Sequence, residues 1–127
     1  MNDSNGLNGW RRVWLALAGL GGAAGIALAA YDAHGSALAP EAASWLEKAT
    51  RYQMIHVLAL LGLAALPGRT GLSRIIAGAA FAVGIVCFSG SLAGMALLGW
   101  PVTPLVPFGG SLFIAGWLCL ALSAWRR

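Results

Sequence analysis

Four apolar stretches divide the chain, at about residues 13–31, 52–66, 75–98 and 108–125. None alternates with the period of two that marks a strand, and a backbone in lipid must satisfy its hydrogen bonds internally. A helix needs roughly 17–25 apolar residues to span a bilayer, so the pattern predicts four transmembrane helices. The third stretch is long and should tilt. The second is short unless its polar head is counted in: "RYQMIHVLALLGLAAL", Arg51 to Leu66, opens with Arg51, Tyr52, Gln53 and His56 before turning wholly apolar.

The connections carry their own signals. Pro40 can open a helix with Glu41 in its first turn, and Glu47 and Arg51 stand four apart as a modest ion pair. Trp45, Leu46 and Ala49 can face the membrane while Glu47 and Lys48 face water, which predicts a short interfacial helix feeding directly into helix two. Pro67–Gly68 ends helix two, because proline cannot continue the ladder. Pro101, Pro104 and Pro107 predict a stiff, extended loop between helices three and four. The expected fold is all-α: one integral membrane domain over residues 1–127, a four-transmembrane-helix bundle with a short interfacial helix between helices one and two.

Composition strengthens the membrane reading. Hydrophobic residues make up 59% and charged residues 9%, and mean hydropathy is +0.77. A soluble domain carries about a quarter charged residues, so lipid is the solvent this surface suits. The net charge of +4 reads as orientation, without a nucleic-acid partner. Arg11 and Arg12 precede helix one, Arg69 and Arg74 separate helices two and three, and Arg126 and Arg127 follow helix four. Lys48 and Arg51 are offset by Glu41 and Glu47, and the loop from Gly99 to Pro107 has no charge. The excess of basic residues on cytoplasmic loops then places both termini in the cytoplasm.

Tryptophans follow the same scheme. Trp10, Trp14 and Trp125 fall at inner helix ends and Trp45 and Trp100 in outer segments, as expected of a side chain that prefers the interface; mid-span Trp117 needs a buried partner. The N-terminal run imitates a secretory signal but is expected to stay as an uncleaved first helix, with Asn2 to Gly6 as a polar tail. Cys87 and Cys119 lack metal or redox spacing and read as small packing residues. Small residues spaced for close helix approach are Gly21 and Gly25, Ala18 and Gly22, Gly90 and Gly94, with Gly62 serving helix two.

Tyr52, Gln53 and His56 share one helix face, and polar groups at that depth point into the bundle. Their candidate companions in the outer half are Asp32, His34, Arg51, Ser89, Ser91 and Thr103. Such a cluster binds something or only ties helices together. No paired carboxylates are present, nothing marks Ser89 as a nucleophile, and helical serine usually bonds backbone or a neighbouring helix; no enzyme and no cofactor is expected. A metal or haem site on His34 and His56, with Met54 and Asp32 nearby, is the alternative. A small-solute transporter built as an oligomer is a further alternative, although no acidic relay lies mid-span.

The quoted block belongs to a longer pattern. "AHG" at Ala33–Gly35, "ATRYQMIHVLALL" at Ala49–Leu61, "FSGSL" at Phe88–Leu92 and the Thr103–Pro104, Gly109–Gly110 and Phe113–Trp117 elements resemble the domain of unknown function 423 family, small membrane proteins of the transmembrane protein 256 type. The resemblance runs from about Gly19 to Trp117. It implies a four-helix inner-membrane protein and no reaction. The expected role is structural or accessory, with the outer-leaflet polar cluster docking a partner or small amphiphile; the bilayer, a larger membrane complex and a second copy of the chain are the partners in view.

Overall fold

The computed structural model describes residues 9–34, 37–68 and 70–125. Asn2 to Gly6, Gly35, Arg69, Arg126 and Arg127, used above for the tail, one motif and the charge bias, lie outside them. The described residues form helices and no strand: α1 (Gly9–Ala33), α2 (Pro40–Ala65), α3 (Leu72–Leu98) and α4 (Leu105–Leu122). By length and composition α1, α3 and α4 can each cross a membrane. The first half of α2 carries Glu41, Glu47, Lys48 and Arg51, and α2 is not among them.

Pro40 and Glu41 do open a helix, but the predicted interfacial helix is not a separate element. Its residues are the first turns of α2, which runs unbroken to Ala65 because no proline or glycine interrupts it before Gly62. Leu66 then turns extended (φ −63°, ψ 135°) ahead of Pro67, as the clash with a following proline requires. The loop before α4 is also shorter than predicted. Pro104 caps α4 and Pro107 sits within its first turn, where the missing N–H costs nothing because first-turn N–H groups have no helical acceptor.

Neighbours in sequence pack as antiparallel pairs. Along α1 and α2, a Cβ on Gly21 would lie 2.8 Å from Val57, and one on Gly25 2.6 Å from the Met54 sulfur, so these two glycines admit α2 as their spacing predicts. Along α3 and α4 the interlock is between phenylalanine and glycine. Phe113 fills the place of a side chain on Gly84 (2.6 Å), Phe81 that on Gly116 (2.7 Å), and Phe88 crowds Gly109 (2.8 Å to its Cβ). One register serves all three contacts. Without a hydrophobic drive between helices in lipid, such close approach is what binds them.

Three small residues do not act as predicted. Gly90 is exposed, and the nearest atom that a Cβ there would meet is the Ile85 carbonyl oxygen, at 4.0 Å. Gly62 has nothing within 4 Å. Gly94 accommodates Trp100, which folds back after Gly99 takes a left-handed turn (φ 67°). Gly90 belongs to a π-helical segment, Ile85–Gly90, which changes the residue count per turn and so breaks the four-residue spacing on which the Gly90–Gly94 pairing depended. Trp14, expected at the interface, is buried against Gly78 and the core.

The core is split. One cluster gathers Trp14, Ala18, Val57, Leu60, Leu63, Ala64, Ala77 and Phe81. The other gathers Leu46, Ala49, Leu92, Ala93 and Ala96. Along α2 the two are separated by Gln53 and His56, so the polar residues form a layer across the middle of the molecule.

Candidate functional site

The buried residues of α2 recur at Leu46, Ala49, Gln53, His56, Val57, Leu60, Leu63 and Ala64, largely three and four apart as one helix face requires. Gln53 and His56 therefore occupy core positions, and they are only 6% and 3% exposed. Polar groups so deep need partners, and each finds one on a different helix. The Gln53 side-chain amide donates to the Gly21 carbonyl on α1 at 2.8 Å, reachable because Gly21 and Gly25 have no side chains in the way.

His56 looks the other way. The Trp117 indole N–H on α4 donates to His56 Nε2 at 3.0 Å. An indole nitrogen is only a donor, so Nε2 is the acceptor and the proton of the neutral ring sits on Nδ1. Nδ1–H in turn donates to the Tyr52 carbonyl at 2.7 Å. The imidazole stacks on Phe113 with centroids 3.5 Å apart and planes 8° from parallel, and Phe81 touches it from α3 at 5.6 Å. The mid-span Trp117 has the partner its depth demanded. The hydrogen bond of His56 ties α2 to α4.

Tyr52 is exposed and meets Phe88 of the π-helical segment edge to face at 5.3 Å. Ser89 and Ser91 are buried on α3; the Ser89 hydroxyl has no hydrogen-bond partner among the described residues. The other expected companions stay apart. Asp32 is half-buried in the last turn of α1 and His34 is exposed just after it. Since Gly25 meets Met54 in an antiparallel pair, His34 lies level with residues near Trp45, roughly 17 Å along the axis from His56. The two histidines do not converge, and both nitrogens of His56 are already engaged. Arg51 is exposed and pairs with Glu47; Thr103 is exposed ahead of α4, where its carbonyl accepts from the Val106 N–H at 3.1 Å. Among the described residues no three candidate metal ligands lie together.

Phe113 and Phe81, which frame the imidazole, carried no polar signal in the sequence. The only trace was Phe113 four positions before Trp117, and it becomes legible only once α3 and α4 are in register.

Beside this layer lies an open groove of about 460 Å³ between α2 and α4. Lys48, Arg51 and Tyr52 line one end, His56 follows, and Phe88, Phe113, Ile114 and Trp117 supply aromatic and aliphatic walls. The volume is within the usual range for small-molecule clefts, about 300–1,000 Å³. The arrangement offers cationic and phenolic groups at one end and an apolar body.

A family model described as "Protein of unknown function (DUF423)" matches residues 27–110. A UPF0382 membrane protein of Haemophilus influenzae is 34% identical over 116 residues, covering 89% of this chain and 94% of the relative. UPF0382 membrane protein SSP2132 of Staphylococcus saprophyticus is 36% identical over 118 residues, 91% of this chain and 98% of its own. UPF0382 inner membrane protein YgdD of Escherichia coli K12 is 34% identical over 119 residues, 91% of each chain. No solved structure matches. The helices that can cross a membrane, the matched span and these relatives lead to one conclusion: the chain is a membrane protein belonging to the DUF423 family of proteins of unknown function.

Proposed function

We propose that this protein is a non-enzymatic accessory component of the bacterial inner membrane, and that its groove between α2 and α4 receives a small amphiphile. In this reading all four helices span, with both termini cytoplasmic. At 26 residues α2 is about 39 Å long, ample for a bilayer, and its buried polar residues face α1 and α4 rather than lipid. The basic residues of the connections favour this orientation, and the inner-membrane name of the E. coli relative is in keeping with it.

The groove is the observation that carries the proposal. A polar head would meet Lys48, Arg51 and Tyr52, while an apolar body would lie along Phe113, Ile114 and Trp117. His56 holds Trp117 in place as a wall. Solvent extracts of protein purified in mild detergent, analysed by mass spectrometry, test it. Gly110→Leu fills the groove from a position where a Cβ meets only Phe88, at an ordinary 3.8 Å. An amphiphile retained in stoichiometric amount by the wild type and lost from Gly110→Leu is the expected result. Equal retention by both, or nothing beyond bulk lipid, would refute the groove as a site. Co-purifying membrane subunits in the same preparation test the accessory role.

A further inference from the structure

Trp117 lines a second groove as well as the first. This second groove, about 500 Å³, continues between α2 and α4 toward the other end of the molecule. Its walls are apolar, including Leu63, Leu66 and Leu120, and its far end carries Arg74. Gly62 leaves its floor open, since nothing lies within 4 Å of where a Cβ would be.

Among the described residues, the charge around that end has one sign. The first turn of α1 meets the end of α2 there, through the Arg11 Nε bond to the Ala64 carbonyl at 2.9 Å, and the start of α3 joins them through Arg74 and the Pro67 carbonyl. Among the described residues this end bears Arg11, Arg12 and Arg74 and no carboxylate. The described acids, Asp32, Glu41 and Glu47, all lie toward the opposite end. Arg74 is half-buried, and one N–H of its guanidinium donates to the Pro67 carbonyl at 2.8 Å, which fixes the group at the groove's end. A guanidinium has five N–H donors in a planar fork, a shape suited to two phosphate oxygens.

We infer that this second groove binds an anionic phospholipid, its phosphate on Arg74 and one acyl chain between α2 and α4. The apolar walls call for the chain, which inorganic phosphate lacks. The positive charge of Arg11, Arg12 and Arg74 disfavours a head that carries its own cation, so phosphatidylglycerol is bound in preference to phosphatidylcholine. The site shares with the proposal above the bilayer and Trp117. Its residues, Trp117 apart, are different, so either can fail alone.

Native mass spectrometry of the full chain, released from detergent containing phosphatidylglycerol or phosphatidylcholine of identical chains, tests the inference. The wild type is expected to retain one phosphatidylglycerol and little phosphatidylcholine. Gly62→Leu, which enters the groove from a position where a Cβ meets nothing within 4 Å, should lose the bound lipid with Arg74 intact. Arg74→Gln should lose the preference between heads, and Arg12→Gln, on an exposed arginine outside the groove, should keep it. Should Arg74→Gln unfold by circular dichroism, Arg74→Lys decides: it retains the charge and should retain the preference in weaker form. Equal retention of the two lipids by the wild type, unchanged retention by Gly62→Leu, or as great a loss from Arg12→Gln as from Arg74→Gln would each overturn it.

Discussion

Replacing Trp117 by phenylalanine removes a single hydrogen bond and little else. The indole is 43% exposed, so a smaller ring sacrifices little packing. His56 is 3% exposed, so its Nε2 is left without water to replace the 3.0 Å indole donor. An orphaned buried acceptor costs about 1–3 kcal/mol in water-soluble proteins. In membranes the coupling across helices averages about 0.6 kcal/mol and reaches about 1.7, because the unfolded chain in lipid also finds partners. Trp117→Phe is therefore expected to destabilise by about 1 kcal/mol. His56→Phe keeps a ring to stack on Phe113 while removing the acceptor. In that background Trp117→Phe should be close to neutral, since replacing both partners by apolar groups leaves nothing unpaired. A double-mutant cycle by reversible unfolding in mixed SDS micelles, followed by far-ultraviolet circular dichroism, measures the difference. A coupling of about 0.6–1.7 kcal/mol is expected. A coupling indistinguishable from zero, with Trp117→Phe costing the same in both backgrounds, would show that the bond does not tie α4 to α2.

Two further outcomes follow from the same geometry. Gly109→Ala pushes a Cβ against the backbone of Cys87 and Phe88, which cannot swing aside as a side chain can, and should cost about 1–3 kcal/mol; Gly62→Ala, in open space, should be neutral or stabilising by up to about 1 kcal/mol through helix propensity, and the same unfolding assay reverses the argument if the two rank the other way. Nitrogen-15 NMR of histidine-labelled protein should report His56 as the neutral tautomer with its proton on Nδ1; a protonated Nε2 would contradict the Trp117 bond.

Much of this fold is legible in one dimension. The apolar stretches locate the helices, Pro67 stops α2 where expected, and Pro40 with Glu41 marks its start. The scarcity of charge identifies lipid as the solvent. From that alone, Gln53 and His56 must point inward, and they do, each with a partner. The small residues at Gly21 and Gly25 announce a close helix neighbour, and α2 supplies it.

What stays illegible is rotation. In water the polar side of a helix reveals which side is buried. In lipid the outer face is as greasy as the core: Leu20, Ile26, Ile114 and Leu118 are exposed while Ala18, Gly25, Gly109 and Gly116 are buried. Hydropathy therefore cannot tell which neighbour a given face meets. Only packing decides that His56 reaches α4, that Phe81 and Phe113 frame it, that Trp14 turns into the core, and that Gly90 serves no partner among the described residues. The one-dimensional pattern determines which residues must hide from lipid. Three-dimensional close approach, glycine against phenylalanine across α3 and α4, determines whom they hide against.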